Sequence, residues 1–230
     1  MAMENIFSYF REMVIDFFYP PHCPVCERYI ENRSDILCEE CERKILDIRR
    51  SPEEMPPLKE IWRLTKYKEG TQQLILDLKF NNKLNGLPAI NRIFDKALIK
   101  NDELPKLLNK IDIATAVPLH IEREKERGFN QVELIFNDWL NKQNIQMERL
   151  LLRTRATDHL YDKNREQRQK EVAGAFSLIE GAADKVQGKR ILILDDIFTT
   201  GTTMSECAKV LQQNDSAEIY GLALASDFRS

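Results

Sequence analysis

Residues 190–194 read Arg-Ile-Leu-Ile-Leu, and Asp195-Asp196-Ile197-Phe198-Thr199-Thr200-Gly201-Thr202-Thr203 follows at once. Four consecutive large aliphatic side chains leave no polar face, so a strand built from them must be covered on both sides. Such strands sit in parallel sheets flanked by helices. The chain beyond residue 60 agrees. Ile61 to Lys68, Ile111 to Val117 and Ile219 to Ala225 have strand composition, while Thr71 to Phe80, Leu87 to Ile99, Gln131 to Asn141 and Met204 to Gln213 carry helical spacing. This alternation predicts an α/β fold with an open parallel sheet.

The residues that end the apolar run carry chemistry. Ligands of open parallel sheets bind beyond the carboxyl ends of the strands. A loop of small hydroxyl residues that turns on Gly201 into a helix makes an anion cradle from backbone N–H groups. Thr199, Thr200, Gly201, Thr202 and Thr203 therefore suit a phosphate, and Asp195 with Asp196 suits sugar hydroxyls or a hydrated Mg²⁺. The plainer alternative makes one Asp a helix cap and the threonines a turn, but a cap needs neither two carboxylates nor this loop.

Four of the five cysteines crowd the other end as Cys23-Pro24-Val25-Cys26 and Cys38-Glu39-Glu40-Cys41, eleven residues apart. Two such knuckles converge four thiolates on one ion in the tetrahedral cage that Zn²⁺ accepts. Redox pairs, disulfides and an iron–sulfur cluster are the alternatives, and the doubled knuckle favours structural zinc. The second knuckle is expected to open a helix over Leu37 to Ile48. Residues 1–60 hold 8 Lys+Arg against 13 Asp+Glu, and Pro52, Pro56 and Pro57 interrupt regular structure. The expected organisation is an N-terminal helix and zinc-binding head over 1–50, a linker over 51–60 and the α/β body over 61–230. Ile6, Phe7, Phe10, Met13, Val14, Phe17 and Phe18 align on one helical face, whose acidic polar side favours packing on the body over anionic lipid. Cys207, on the last helix, reads as a buried small apolar residue.

Composition bounds the rest. Hydrophobic content of 43% excludes a disordered chain, and a net charge of −3 excludes a uniformly basic polyanion binder. No run reaches the roughly 18–20 apolar residues of a membrane span, and no leader-like stretch points to secretion, so the expected address is cytoplasmic.

A middle motif links the two ends. Val117-Pro118-Leu119-His120 closes a strand, and Arg123, Arg127, Gly128, Phe129, Asn130 and Gln131 follow. Guanidinium groups near a strand terminus suit pyrophosphate oxygens, while interleaved Glu122, Glu124 and Glu126 suit an ordinary solvated helix. Residues 149–170 are locally basic, with seven Lys or Arg against three acids. A loop of that kind could close over a pyrophosphate, touch single-stranded DNA or stay solvated.

Leu194-Asp195-Asp196-Ile197-Phe198-Thr199-Thr200-Gly201-Thr202-Thr203 closely resembles the loop with which type I phosphoribosyltransferases bind 5-phosphoribosyl-1-pyrophosphate (PRPP). By that resemblance Asp195 and Asp196 engage the ribose hydroxyls of Mg²⁺–PRPP, and Thr199 to Thr203 wrap the 5′-phosphate. Purine-salvage members carry a carboxylate where this chain has Thr199; orotate-type members tolerate Thr. The four-Cys head, Val117-Pro118-Leu119, Arg127-Gly128-Phe129-Asn130-Gln131 and the acidic pair with its loop together resemble the ComF family, which includes the ComFC competence proteins. That resemblance implies a type I phosphoribosyltransferase-like body with a zinc head, acting in DNA uptake during natural transformation. It maps pyrophosphate binding onto Pro118, Leu119 and His120, helped by Arg123 and Arg127. It leaves two roles open: phosphoribosyl transfer to an acceptor, or non-catalytic binding of PRPP or single-stranded DNA among competence proteins. The implied address is the cytoplasm, with the inner face of the membrane as a peripheral option.

Overall fold

A computed structural model of the chain describes residues 20–32, 35–51, 54–81, 83–155 and 170–227. The Phe-rich helix expected before residue 19, and Lys163, Arg165 and Arg168 of the basic stretch, lie outside the described residues.

Five strands form the central sheet: β1 (Leu46–Arg50), β2 (Leu58–Lys66), β3 (Ile113–Ala116), β6 (Arg190–Phe198) and β7 (Glu218–Ser226), in the order β1-β2-β7-β6-β3. Strands β2, β7, β6 and β3 run parallel, and β1 pairs antiparallel on β2. Helices cover both faces, as the unbroken apolar run of β6 demands. Its Ile191, Leu192, Ile193 and Leu194 are wholly buried. Leu192 and Leu194 pack on one face with α2 (Glu69–Phe80), α3 (Leu87–Lys100), α4 (Glu103–Leu108) and α6 (Gln131–Lys142). Phe94 and Trp139 stack there at 4.7 Å. Ile191 and Ile193 face α8 (Thr202–Gln212) and a two-stranded ribbon, β4 (Leu151–Arg153) with β5 (Phe176–Leu178). Each such buried aliphatic contributes about 1.5–3 kcal/mol of transfer free energy. Cys207 of α8 is buried in this second layer, as its apolar neighbours predict.

One element departs from expectation. The helix over Leu37 to Ile48 stops early: α1 covers Glu39–Lys44, and Leu46–Arg50 is a strand. Leu46 and Ile48 alternate with Asp47 and Arg49, so the two apolar side chains pack on the core while the charged pair bonds outside at 2.9 Å. Period-two alternation, together with pairing on β2, wins over helical propensity. Residues 51–60, expected as a linker, contain the turn between these paired strands, and β2 starts within them at Leu58.

The cysteine head rests on the body. Cys23, Ile30 and Leu37 share the core cluster of α2, α3 and α6. Glu42 of α1 meets Arg92 at 2.6 Å and Lys96 at 3.3 Å on α3. The first knuckle presses on the start of α2 so closely that a Cβ on Gly70 would lie 2.1 Å from Val25 Cγ1 and 2.5 Å from the Val25 carbonyl oxygen.

Candidate functional site

Strand β6 runs through the acidic pair to Phe198, so Asp195 and Asp196 alternate to opposite faces of the sheet. Asp196 is only 4% exposed. Its Oδ2 meets Lys79 Nζ of α2 at 2.6 Å and accepts from Gln131 Nε2 of α6 at 3.1 Å. Arg127 donates in turn to Gln131 Oε1 and lies 5.8 Å from the centre of the Phe80 ring. Asp195 Oδ1 accepts from the Asp196 backbone N–H at 2.9 Å. Burial, and then the charge on Asp196, push the Asp195 carboxyl up to about 8.

The threonine loop follows directly. Gly201 caps α8 with φ +71°, in the left-handed region. A Cβ there would also lie 2.5 Å from Met55 Cε and 2.8 Å from Phe198 Cε2. The left-handed backbone is what favours glycine here. Thr200 and Thr202 share a hydroxyl hydrogen bond of 2.8 Å, and Thr202 and Thr203 open α8, where the first N–H groups lack intrahelical acceptors. The loop therefore offers hydroxyls and backbone donors at the positive end of a helix dipole, beside two carboxylates.

The neighbouring strand brings the middle motif alongside. Val117 N–H donates to Leu194 C=O at 2.9 Å, so Pro118, Leu119 and His120 leave β3 level with the acidic pair. These three line a cleft of about 520 Å³ with Arg149, Arg153 and Thr154. The lining of that cleft stops short of Asp195 and Asp196. Helix α5 (Ile121–Arg127) forms with Arg123 on its exposed side, and Gly128 ends it in the left-handed conformation. Asn130 then caps α6, its Oδ1 accepting from Val132 N–H at 3.0 Å, while its Nδ2 donates to Val117 C=O at 3.0 Å. The motif thus serves as a brace, holding Gln131 on Asp196 and Asn130 on the end of β3. Arg127 belongs to that brace. Arg153 of β4 lies over the Phe176 ring at 5.5 Å, and burial, then Arg123, push its guanidinium below the ordinary range.

Lys79 was not among the site residues expected from sequence. The available signal was positional: it stands four residues after Ile75, which is fully buried, so a lysine there shares a core-facing stripe. Gln131 was legible as part of the motif, but its carboxylate partner lies 65 residues away in sequence.

In the head, the sulfurs of Cys23, Cys26, Cys38 and Cys41 all lie within 4.8 Å of one another, with Cys26 and Cys38 at 3.5 Å. Four thiolates at ~2.3 Å from one tetrahedral Zn²⁺ stand roughly 3.8 Å apart, so the donor set fits that ion. Burial works to raise the Cys23 thiol, but backbone N–H groups of Cys38, Val25 and Cys26 outweigh it and hold it at about 7. Cys41, desolvated among the other thiols, is pushed up. His22 bonds the Pro20 carbonyl at 2.7 Å, apart from this set.

Comparison with known proteins bears on both regions. Residues 14–52 match the double zinc ribbon domain model. Over 205 residues the chain is 29% identical to DNA utilization protein YhgH of Escherichia coli, covering 86% of each. It is 27% identical over 167 residues to Competence protein F of Haemophilus influenzae, covering 69% of this chain and 70% of that one. Solved phosphoribosyltransferases are among its structural neighbours. One, an adenine phosphoribosyltransferase from Thermoanaerobacter pseudethanolicus, is 17% identical with a TM-score of 0.38, over 82% of this chain and 98% of that one. A four-sulfur zinc-ribbon head on a mostly parallel α/β body, with polar groups gathered where the strands end, defines the class. Within it, these likenesses support a ComF-like protein. Among the described residues no helix is long and apolar enough to cross a membrane.

Proposed function

We propose that this protein binds Mg²⁺–PRPP at the end of β6 and acts in the uptake and handling of DNA. The observation that carries the reading is the continuous run of buried strand, acidic pair, left-handed Gly201 and helix N-terminus, with Pro118 to His120 alongside. In this reading Thr199 to Thr203 hold the 5′-phosphate, Asp195 and Asp196 engage the ribose hydroxyls and the ion that accompanies the ligand, and the turn after β3 receives the pyrophosphate with Arg123 nearby. Backbone donors and a helix dipole suit the phosphate. Transfer would proceed by positioning and charge stabilisation as pyrophosphate leaves C1 of the ribose, without a covalent enzyme intermediate. The names of its relatives, a DNA utilization protein and a competence protein, support the cellular role.

Thr199, standing where purine-salvage enzymes use a carboxylate, favours a second reading in which the site binds PRPP or single-stranded DNA without turnover. Release of pyrophosphate from labelled PRPP, measured with free bases and with single-stranded DNA as acceptors, separates the two. Turnover that vanishes in Asp195→Ala/Asp196→Ala establishes the transferase. Binding without turnover under every acceptor leaves the binding module.

A further inference from the structure

The ion pair between Lys79 and Asp196 has no counterpart in the ligand scheme above. Lysine side chains avoid burial because the ammonium loses its hydration. Lys79 nevertheless has its side chain 10% exposed, against 6% for its partner. It reaches Asp196 from the last turn of α2, with Nζ 2.6 Å from Oδ2. The same oxygen accepts from Gln131, which Arg127 grips from the other side. Two donors thus converge on one carboxylate oxygen, and one of them is a full positive charge. A divalent ion on the remaining oxygen would stand beside that ammonium with little water between to screen it. Mg²⁺ also dehydrates reluctantly and is commonly held by one or two carboxylates together with substrate phosphates.

We propose that Lys79 is a built-in counter-cation that keeps free divalent metal off Asp196, so that the ion enters only as a complex with a phosphorylated sugar. This rests on the PRPP reading for the identity of the complex, but not for the behaviour towards metal alone. The phosphates of such a ligand carry the negative charge that offsets Lys79, which turns the ion pair into a selectivity device. Lys79 is a positioning and specificity residue here, acting through Asp196.

The test is binding of Mn²⁺ alone, followed by electron paramagnetic resonance on zinc-loaded protein, with thermal melting to check the fold. The intact protein and Lys79→Arg should bind Mn²⁺ weakly. Lys79→Met should bind it at least about tenfold tighter, and Lys79→Met/Asp196→Asn should lose that gain, because the carboxylate that Lys79 neutralised is then gone. A folded Lys79→Met that gains no Mn²⁺ affinity overturns the proposal. So does an intact protein that binds Mn²⁺ tightly through Asp196, as judged by its loss in Asp196→Asn, a result that does not depend on any lysine variant folding. Failure of the intact protein to bind PRPP at millimolar Mg²⁺ would contradict the ligand reading alone, leaving the Mn²⁺ result to stand or fall separately.

Discussion

Asp195 is costly where it stands. Its carboxyl is held up at about 8, against 3.8 in the unfolded chain, by burial and by Asp196. A folded-state value above the unfolded one means that this group's contribution to stability is full below pH ~4 and is lost as pH rises towards 8. Asp195→Asn removes the ionisation and keeps the shape. The ligand-free variant should therefore melt a few degrees higher than the intact protein at pH 8, with the gap narrowing towards pH 4, as scanning calorimetry across that range would read. A gap that widens as pH falls would contradict the assignment. The residue scale also shows what sequence could deliver. Asp195, Asp196 and Gly201 announce themselves by type and order, because an apolar strand, paired acids and a glycine turn are local patterns. Lys79 does not, because its meaning depends on a contact 117 residues away with Asp196.

Helix α2 is the element that joins the two halves of the molecule. Its N-terminal turn carries Gly70 against the first cysteine knuckle, and its last turn carries Lys79 into the acidic site. A methyl group at Gly70 would collide with Val25 backbone as well as side chain, and backbone does not yield cheaply. Gly70→Ala should push the knuckle outward, lower the melting temperature by roughly 3–8 °C, and speed zinc release to a chromogenic chelator. Zinc release at the unaltered rate would show that the head is not held by this contact. The boundary of α1 carries the other lesson at this scale. Leu37 to Ile48 has enough helix formers to read as one helix, yet Leu46–Arg50 is drawn into the sheet by β2. Strand pairing is a tertiary fact, and propensity alone does not contain it. The four long helices of the body, α2, α3, α6 and α8, were legible to within a residue or two because each has an apolar stripe that the sheet faces require, whereas the short α4 was not.

At the scale of the whole molecule, the charge asymmetry found in sequence acquires a location. The acidic head is packed on α3 through Glu42, Arg92 and Lys96, so part of its negative charge is spent on the body itself. The sites of interest lie at the carboxyl ends of β3 and β6, where parallel strands expose the turns that follow them. The α/β class was legible because the buried strands β6 and β7 leave unbroken apolar runs between helical stretches. The antiparallel edge strand was not, since β1 is short and half-polar. The brace from Arg127 through Gln131 to Asp196 ties the middle motif to the acidic one. That tie sets Gln131 against Asp196, a contact that neither motif alone reveals. The most direct measurement is isothermal titration of the zinc-loaded chain with PRPP at millimolar Mg²⁺, beside Asp195→Asn/Asp196→Asn. One saturable site per chain is expected in the intact protein and none in the variant. Equal binding by both proteins, or none by the intact one, would contradict that expectation.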